Sequence, residues 1–589
     1  MSQRNLRIYE AKTEQKEMSN TTNEYCNRYS SEGSVDNAIR QAGYEHFVQL
    51  ISQNAPKKNL VLSENGALEY ASTGSALVDF NARATEFRNA DEEDIIKAAT
   101  RAYAEDPVKF VKLMFQTGDI RGGKGERHTF NTCMDWLVAL HPAVALEVLS
   151  LIPEYTRWDY LVRQSISDNK DVSLLATQIV VEQFSKDVQR INQLKDGENA
   201  DISLLAKWMP SLQTKKASDK RIVRHLLKSL NMQEREYRKA LSNLRAYLNI
   251  IEKALSAKDY EAIDMEKLTS KQQLRYSSCL KRILADQRHA YIQAVLRGEK
   301  KMNTSVLNPL EIVHEYTRGC YKFVQRNEDL EALWQLLPDK ISGNNNTLVI
   351  RDGSGSMTAR IGQGSSATML EAATAMAIYC AQRLSGAFKD KFITFSSCPQ
   401  IVDITNCHTL ADAINLMLTH TDCSNTDLEA TFDLVLEIAV INKLSQDEIP
   451  SYLLILSDME FDMARSYDGL SREALFTTIR KKWDKAGYEM PALVFWQLNG
   501  KRTIYPEIDA KNGIIFLSGF ATSELTRVMA GEYETIEEVE VIDENTGETT
   551  KKKEKKILSP MQQLEVKLSD PRYDAVEEAA LKGLSKESA

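Results

Sequence analysis

From about Asp91 to residue 340, apolar positions recur at intervals of three and four. Ile95, Ile96, Ala99 and Ala102 form one such set, and Val108, Phe110, Val111, Met114 and Phe115 the next; Val181, Phe184, Val188 and Ile191 form a later one. That spacing lines one stripe of an α-helix with apolar side chains. Pro107, Pro142, Pro153 and Pro210 fall at the boundaries of the periodic runs, where prolines start or stop helices. Many helices of ordinary length joined by short links predict an all-helical, HEAT-like array. No fixed sequence period accompanies them.

Beyond residue 345 the pattern changes. Continuous apolar runs of strand length (347–350, 392–395, 452–456, 492–498 and 513–517) alternate with helical stretches at 367–384 and 429–441. Runs apolar on both faces belong to parallel strands covered on both sides, so the expected fold is α/β and doubly wound. The overall fold class is therefore α plus α/β. A short helix beginning at Thr522 follows, then a charged hairpin around Asn545-Thr546-Gly547, then a helix near 574–584 that packs back. The expected organisation is a flexible polar arm at 1–40, a helical domain at 41–340, an α/β domain at 345–530, and the hairpin and terminal helix at 531–589. Asn65-Gly66, between Val61-Leu62 and Leu68-Glu69-Tyr70, marks a turn.

Composition narrows the class. The chain is 43% hydrophobic and 27% charged, which fits a globular protein and excludes a disordered one. Its net charge of -9 confines any nucleic-acid site to a local patch. No run reaches the ~18 apolar residues of a membrane span, and Met1-Ser2-Gln3-Arg4-Asn5 has no apolar signal core. Eight cysteines without a Cys-x-x-Cys pair suit reduced thiols, and the expected location is cytoplasmic. Cys398, Cys407, His408, His420 and Cys423 crowd one region, but their spacings match no zinc signature.

The most informative stretch is Thr347-Leu348-Val349-Ile350-Arg351-Asp352-Gly353-Ser354-Gly355-Ser356-Met357. A buried strand ends in an Asp, and hydroxyls follow two and four places on. An Asp and two hydroxyls on a strand-end loop suit a hard divalent cation, Mg2+ or Mn2+. This loop resembles the metal-ion-dependent adhesion site of von Willebrand factor A domains, Asp-x-Ser-x-Ser. Ser424-Asn425-Thr426-Asp427 and Leu456-Ser457-Asp458 follow in the order of that family's second and third loops. The resemblance implies that Ser354, Ser356 and Thr426 touch the metal, while Asp352 and Asp458 act mainly through bound water. Asn425 and Met459 stand where the family often has Gly.

Two basic stretches stand out. Residues 207–245 carry eleven basic against three acidic side chains, a net +8, and residues 271–301 a net +6. Tyr237, Tyr276 and Tyr291 are interleaved as candidate stacking partners for bases; the alternative is a solvated helix face. Gly118-Asp119-Ile120-Arg121-Gly122-Gly123-Lys124-Gly125 approaches a phosphate loop, but Gly125 lacks the hydroxyl that Mg2+ needs and the loop follows a helix. It reads as a helix connector whose Arg121, Lys124 and Arg127 can still meet phosphates.

The helical array followed by an adhesion-type site resembles the Ro ribonucleoprotein family, whose helical TROVE region forms an RNA-binding ring. Arg121-Gly122-Gly123-Lys124-Gly125-Glu126-Arg127, Lys207-Trp208-Met209-Pro210 and Leu456-Ser457-Asp458-Met459-Glu460-Phe461 look closer to an uncharacterised sister family of the same layout, found in cellular genomes and large viruses. The resemblance implies a non-enzymatic RNA-binding protein. Its RNA surface would include Arg121, Lys124, Arg127, Lys207, Lys215, Lys216, Arg221, Arg224, Arg238, Lys239, Lys281 and Arg282. The alternative is a protein-interaction module whose Mg2+ accepts a partner's carboxylate. Hydrolysis by Ser354 or Ser356 lacks a Gly-x-Ser-x-Gly elbow and an assignable His base.

Overall fold

The computed structural model describes residues 60–62, 68–84, 86–194, 201–248, 251–318, 322–341, 347–362, 365–385, 388–395, 399–420, 428–458, 472–498, 514–519, 522–542 and 549–588. The arm at 1–40, the Asn65-Gly66 turn, the hairpin tip at 543–548 and the loop carrying Thr426 lie outside them. Short strands β1 (Leu60–Leu62) and β2 (Leu68–Tyr70) flank the expected turn.

Helices then follow one another to residue 341. Local chemistry sets their ends. Asp106 caps the helix Pro107–Gly118 through its carboxylate and the Lys109 N–H, with Pro107 at the first position. Asn308 caps Pro309–Thr317 in the same way, with Glu311 closing the reciprocal bond. Helix lengths run from 4 residues, at Ile152–Tyr155, to 23, at Lys170–Asn192, with no unit of constant length.

The sheet comprises β3 (Thr347–Asp352), β4 (Lys391–Phe395), β5 (Ile401–Asp403), β6 (Tyr452–Ser457), β7 (Ala492–Gln497) and β8 (Ile514–Ser518). Its order is β5-β4-β3-β6-β7-β8, parallel throughout except for the edge pair β4–β5. The period-two pleat divides the core. Leu348, Ile350, Leu453 and Ile455 face the helices Leu428–Asn442 and Arg472–Ala486, meeting Phe432, Val435 and Trp483. Val349, Leu454 and Leu456 face the helix Met369–Ala381. All thirteen residues of that helix are buried, because its outer side is covered in turn by Pro309–Thr317 and Glu328–Gln335. Apart from Glu371 and Thr374, which are hydrogen-bonded to neighbouring elements, its side chains are apolar or aromatic all round, as such a position requires.

The helical region and the sheet region share this core, and two buried carboxylates cross between them. Glu331 accepts the backbone N–H groups of Leu410 (2.8 Å) and Ala411 (3.1 Å), capping the helix Leu410–Thr419. In the opposite sense Glu371, from Met369–Ala381, accepts from Thr317 Oγ1 and from His314 Nδ1 at 3.0 Å.

After β8 and the helix Thr522–Met529, β9 (Glu534–Ile542) and β10 (Thr549–Ile557) form the expected antiparallel hairpin. The helices Pro560–Leu568 and Asp574–Glu587 then return to the first helices of the chain. Leu564, Leu568, Tyr573, Val576 and Ala580 sit in one core with Phe110, Leu137 and Val144. Gly583 lies so close to Val144 that a Cβ there would stand 2.4 Å from its Cα.

Candidate functional site

The chain leaves β3 to build β4 and β5 on one side, then returns to β6 on the other side of β3. The sheet therefore reverses direction between β3 and β6, and open α/β sheets bind ligands at such a switch point, beyond the carboxyl ends of the strands. Asp352 is the last residue of β3 and Asp458 directly follows β6. Both are buried, 1% and 3% exposed.

Asp352 is held from two sides. Ser457 Oγ donates to its Oδ2 at 2.6 Å, and the Ser354 backbone N–H donates to Oδ1 at 2.8 Å. The second bond folds the loop back on itself, and Ser354 Oγ then lies 3.0 Å from Ser356 Oγ. A short 3-10 turn, Gly355–Thr358, carries Ser356 to the surface, while fully buried Met357 pins the turn to the core. Burial pushes the Asp352 carboxyl up to about 6, with the Asp458 charge adding to the effect and the Ser457 and Ser354 hydrogen bonds opposing it.

Two carboxylates whose charges oppose each other, beside two converging hydroxyls at the exposed lip, form an oxygen-only donor set. It suits a hard cation and would relieve the repulsion between the two Asp side chains. Of the expected ligands, the fold brings Asp352, Ser354, Ser356 and Asp458 together; Thr426 lies outside the described residues. Among the described residues no three His, Cys, Asp or Glu side chains cluster as a metal site; the set here has two carboxylates. Of the zinc candidates, Cys398 and Cys423 lie outside the described residues, and Cys407 is a half-buried thiol raised by burial.

Ser457 was not singled out by its sequence, although it directly precedes Asp458. Nor was Arg351. This arginine is buried in β3, with Nε donating to Thr374 Oγ1 at 3.1 Å and Nη1 3.5 Å from the carbonyl of His420, which directly precedes the segment containing Thr426. An Arg inside an apolar run is the signal that could have found it.

The two basic stretches fare differently. In the second, Arg288 is fully buried against Asp329 at 2.5 Å, Arg297 pairs with Glu299, Lys300 with Glu266 and Lys271 with Glu311. Lys281 and Arg282 remain exposed on a short helix, Ser277–Ile283. In the first, Lys215, Lys216, Lys220, Arg221, Arg224, Lys228, Arg235, Arg238 and Lys239 are all exposed and form no ion pair among the described residues. Lys215 and Lys216 precede the helix Ala217–Ser229, and the other seven occupy the outer faces of that helix and of Glu234–Tyr247, whose inner faces bury Ile222, Leu226, Tyr237 and Leu241.

Several expectations need correction. Tyr237 and Tyr291 are core residues whose hydroxyls donate to Pro210 O (2.8 Å) and Lys301 O (2.7 Å), so neither presents a ring to a base. Lys124 is buried with its ammonium on the carbonyl of Asn81, out of reach of a phosphate. Arg121 is exposed but donates to Glu154 O at 2.6 Å, and Arg127 pairs with Asp159 at 2.9 Å. The glycine-rich loop joins two helices, as expected. Its Asp119 is fully buried, accepting from Arg572 Nε (2.5 Å), Tyr573 OH (3.2 Å) and the Arg121 N–H (2.9 Å), and so holds the C-terminal segment. Lys207 is half-buried, 5.9 Å from the ring centre of Trp208, with Arg157 over the same ring at 5.0 Å.

A family model described as a domain of unknown function (DUF2828) matches residues 63–157 and 216–342. A second, also described as a domain of unknown function (DUF7788), matches residues 346–567. The chain is similar to the uncharacterized protein L728 of Acanthamoeba polyphaga mimivirus, at 27% identity over 508 residues, 80% of this chain and 85% of that protein. No solved structure matches the chain.

Proposed function

We propose that the chain is a non-enzymatic RNA-binding protein of Ro-like layout, with a helical domain that contacts the RNA backbone and a von Willebrand factor A-like domain that holds Mg2+ or Mn2+. The observation that carries the RNA part is the set of nine exposed cations, without an ion pair among the described residues, on and just before two successive helices of a chain whose net charge is -9. Lys220, Arg224 and Lys228 follow at i, i+4 on one helix face, and Arg235 and Lys239 on the next; like charges so spaced repel and destabilise a free helix by a few tenths of a kcal/mol per pair. A polyanion reverses the sign of that term.

The metal part rests on the switch-point position of Asp352 and Asp458 and the convergence of Ser354 and Ser356. A bound ion would polarise whatever fills its open coordination position. The chain's own residues would fix it: Ser354 and Ser356 as neutral donors, and Asp352 and Asp458 as acceptors for its bound water. The exposed lip at Ser356 favours a second reading, a partner protein's carboxylate docking on the ion.

The test is filter binding of RNA at two salt concentrations. Reversing Lys215, Lys216, Arg221 and Arg224 to Glu is expected to weaken all single strands alike. The slope of log affinity against log salt should fall by about 3 if all four contact phosphates. Equal, salt-insensitive binding by the two proteins would leave the docking reading in its place.

A further inference from the structure

A cavity of about 510 Å³ opens beside the basic face, between the helix Glu234–Tyr247, the turn Leu205–Trp208 and the start of the helix Ile251–Ala257. That volume lies within the range of small-ligand sites. Three kinds of wall meet in it. Lys207 and Arg238 supply positive charge, and neither has an acidic partner among the described residues. Leu212 supplies apolar surface, backed by the buried Tyr237 and Leu241. Tyr237 is immobile there, because its ring stacks on Phe184 at 5.9 Å and its hydroxyl is bonded to Pro210.

The third wall is Glu252. Its Oε1 accepts from Tyr276 OH at 2.9 Å; its Oε2 is buried and has no hydrogen-bond partner. A buried acceptor left unsatisfied costs about 1–3 kcal/mol, more when charged. A donor brought by a ligand would remove that penalty. Arg245 also lines the cavity, but its Nε, Nη1 and Nη2 donate to Ala206 O, Ser211 Oγ and Met209 O (2.9, 2.8 and 2.6 Å), so it mainly holds the Lys207 turn in place.

We infer that this cavity binds a single nucleotide unit, with its phosphate on Lys207 and Arg238, its base against Leu212 and the aliphatic stem of Arg238, and a base or ribose donor on Glu252 Oε2. An anion alone would be repelled by Glu252, and an apolar ligand would leave both the cations and the carboxylate unmatched. The unit can be a free nucleotide or the end of an RNA strand. In the second case the next base would run onto Trp208, whose ring already carries Arg157. The inference does not require the RNA reading, since a free nucleotide satisfies every wall.

Titration calorimetry on the full chain tests it, using the four nucleoside 5′-monophosphates, their nucleosides, inorganic phosphate, and a short RNA with and without a 5′-phosphate. At least one monophosphate, or the 5′-phosphorylated strand, should bind saturably, with its unphosphorylated counterpart and inorganic phosphate at least tenfold weaker. Preference for the monophosphate assigns the site to free nucleotides; preference for the phosphorylated strand assigns it to RNA ends. Lys207→Ala and Arg238→Ala should each weaken binding about tenfold. Glu252→Gln, which keeps an acceptor for Tyr276, should change the ranking among bases. Reversal of Lys215, Lys216, Arg221 and Arg224 should weaken monophosphate binding less than either cavity substitution does, because those side chains lie outside the cavity and act on it only through screened charge. No saturable binding of any phosphorylated probe, or binding indifferent to all three cavity substitutions, would overturn the assignment.

Discussion

At the scale of single residues, Asp352 and its surroundings oppose each other. Burial and the neighbouring Asp458 favour the protonated carboxyl, whereas metal binding would require the charged one. A carboxyl whose pKa rises on folding, here from 3.8 to about 6, binds its proton more tightly in the native state. The contribution of this carboxyl to the stability of the metal-free protein is therefore most favourable below pH 4, falls as pH climbs to 6, and stays at the lower level above it. A shift of that size corresponds to about 3 kcal/mol. Asp352→Asn is expected to remove this downward contribution to the stability slope between pH 4 and 6, as read by denaturant unfolding of variant against parent, and to abolish Mn2+ binding by calorimetry. Mn2+ should raise the melting temperature of the parent protein at pH 7, less so below pH 6, and that of the variant not at all. An unchanged Mn2+ affinity in Asp352→Asn would remove this residue from the site.

At the scale of elements, the loop 118–125 shows how differently two glycines of one motif behave. A Cβ on Gly123 would stand 1.8 Å from the carbonyl oxygen of Gln116, whereas one on Gly125 would meet only Ile120 Cα at an ordinary 3.9 Å but on a backbone with a φ of +71°. Gly123→Ala is expected to cost about 3 kcal/mol or more by backbone displacement. Gly125→Ala should cost about 1–2 kcal/mol for left-handed geometry alone. Equal unfolding midpoints for the two variants would contradict this account. Elements of this kind were only partly legible in the sequence. The strands β3 and β6 were, because an unbroken apolar run ending in Asp can serve few purposes, and the hairpin and last helix were placed to within a few residues. The basic stretches were not. Arg288 and Arg245 look like Lys220 in the sequence, yet partners distant along the chain decide that the first two are engaged inside the fold and the third faces solvent. Tyr237 and Tyr291 misled for the same reason: an aromatic between cations reads as a platform until its hydroxyl is seen to be tied to a buried carbonyl.

At the scale of the whole molecule, the basic helices belong to the core around Phe184 and Leu241, and the carboxylate site belongs to the sheet cores. Affinities couple only if the two sites bias a common change of state. The seam between the regions is a set of buried, specific bonds: Glu331 on the Leu410–Thr419 helix, Glu371 on His314 and Thr317, and Trp334 Nε1 on Gln382 at 2.8 Å. RNA binding is therefore expected to survive chelation of divalent ions and Asp352→Asn at matched ionic strength. A tenfold loss in both, about 1.4 kcal/mol, would show that the metal and the RNA share one site. The C-terminal helix is the other whole-molecule feature. Deleting 574–587 uncovers Val144 and the apolar side of Pro107–Gly118, and is expected to give a protein that binds apolar dyes and aggregates. A soluble variant melting at the parent temperature would contradict that role.

The same helix sets an order of events during synthesis. Lys586 and its partner Glu147 are 439 positions apart, and Asp119 meets Arg572 after 453. At ribosomal rates of ~5–20 residues per second, the first helices wait roughly 20–90 s for the segment that completes their core. Through that interval Phe110, Leu137 and Val144 have no cover from their final neighbour. A nascent chain arrested before residue 560 should thus be held by general chaperones, and released only once the last two helices emerge.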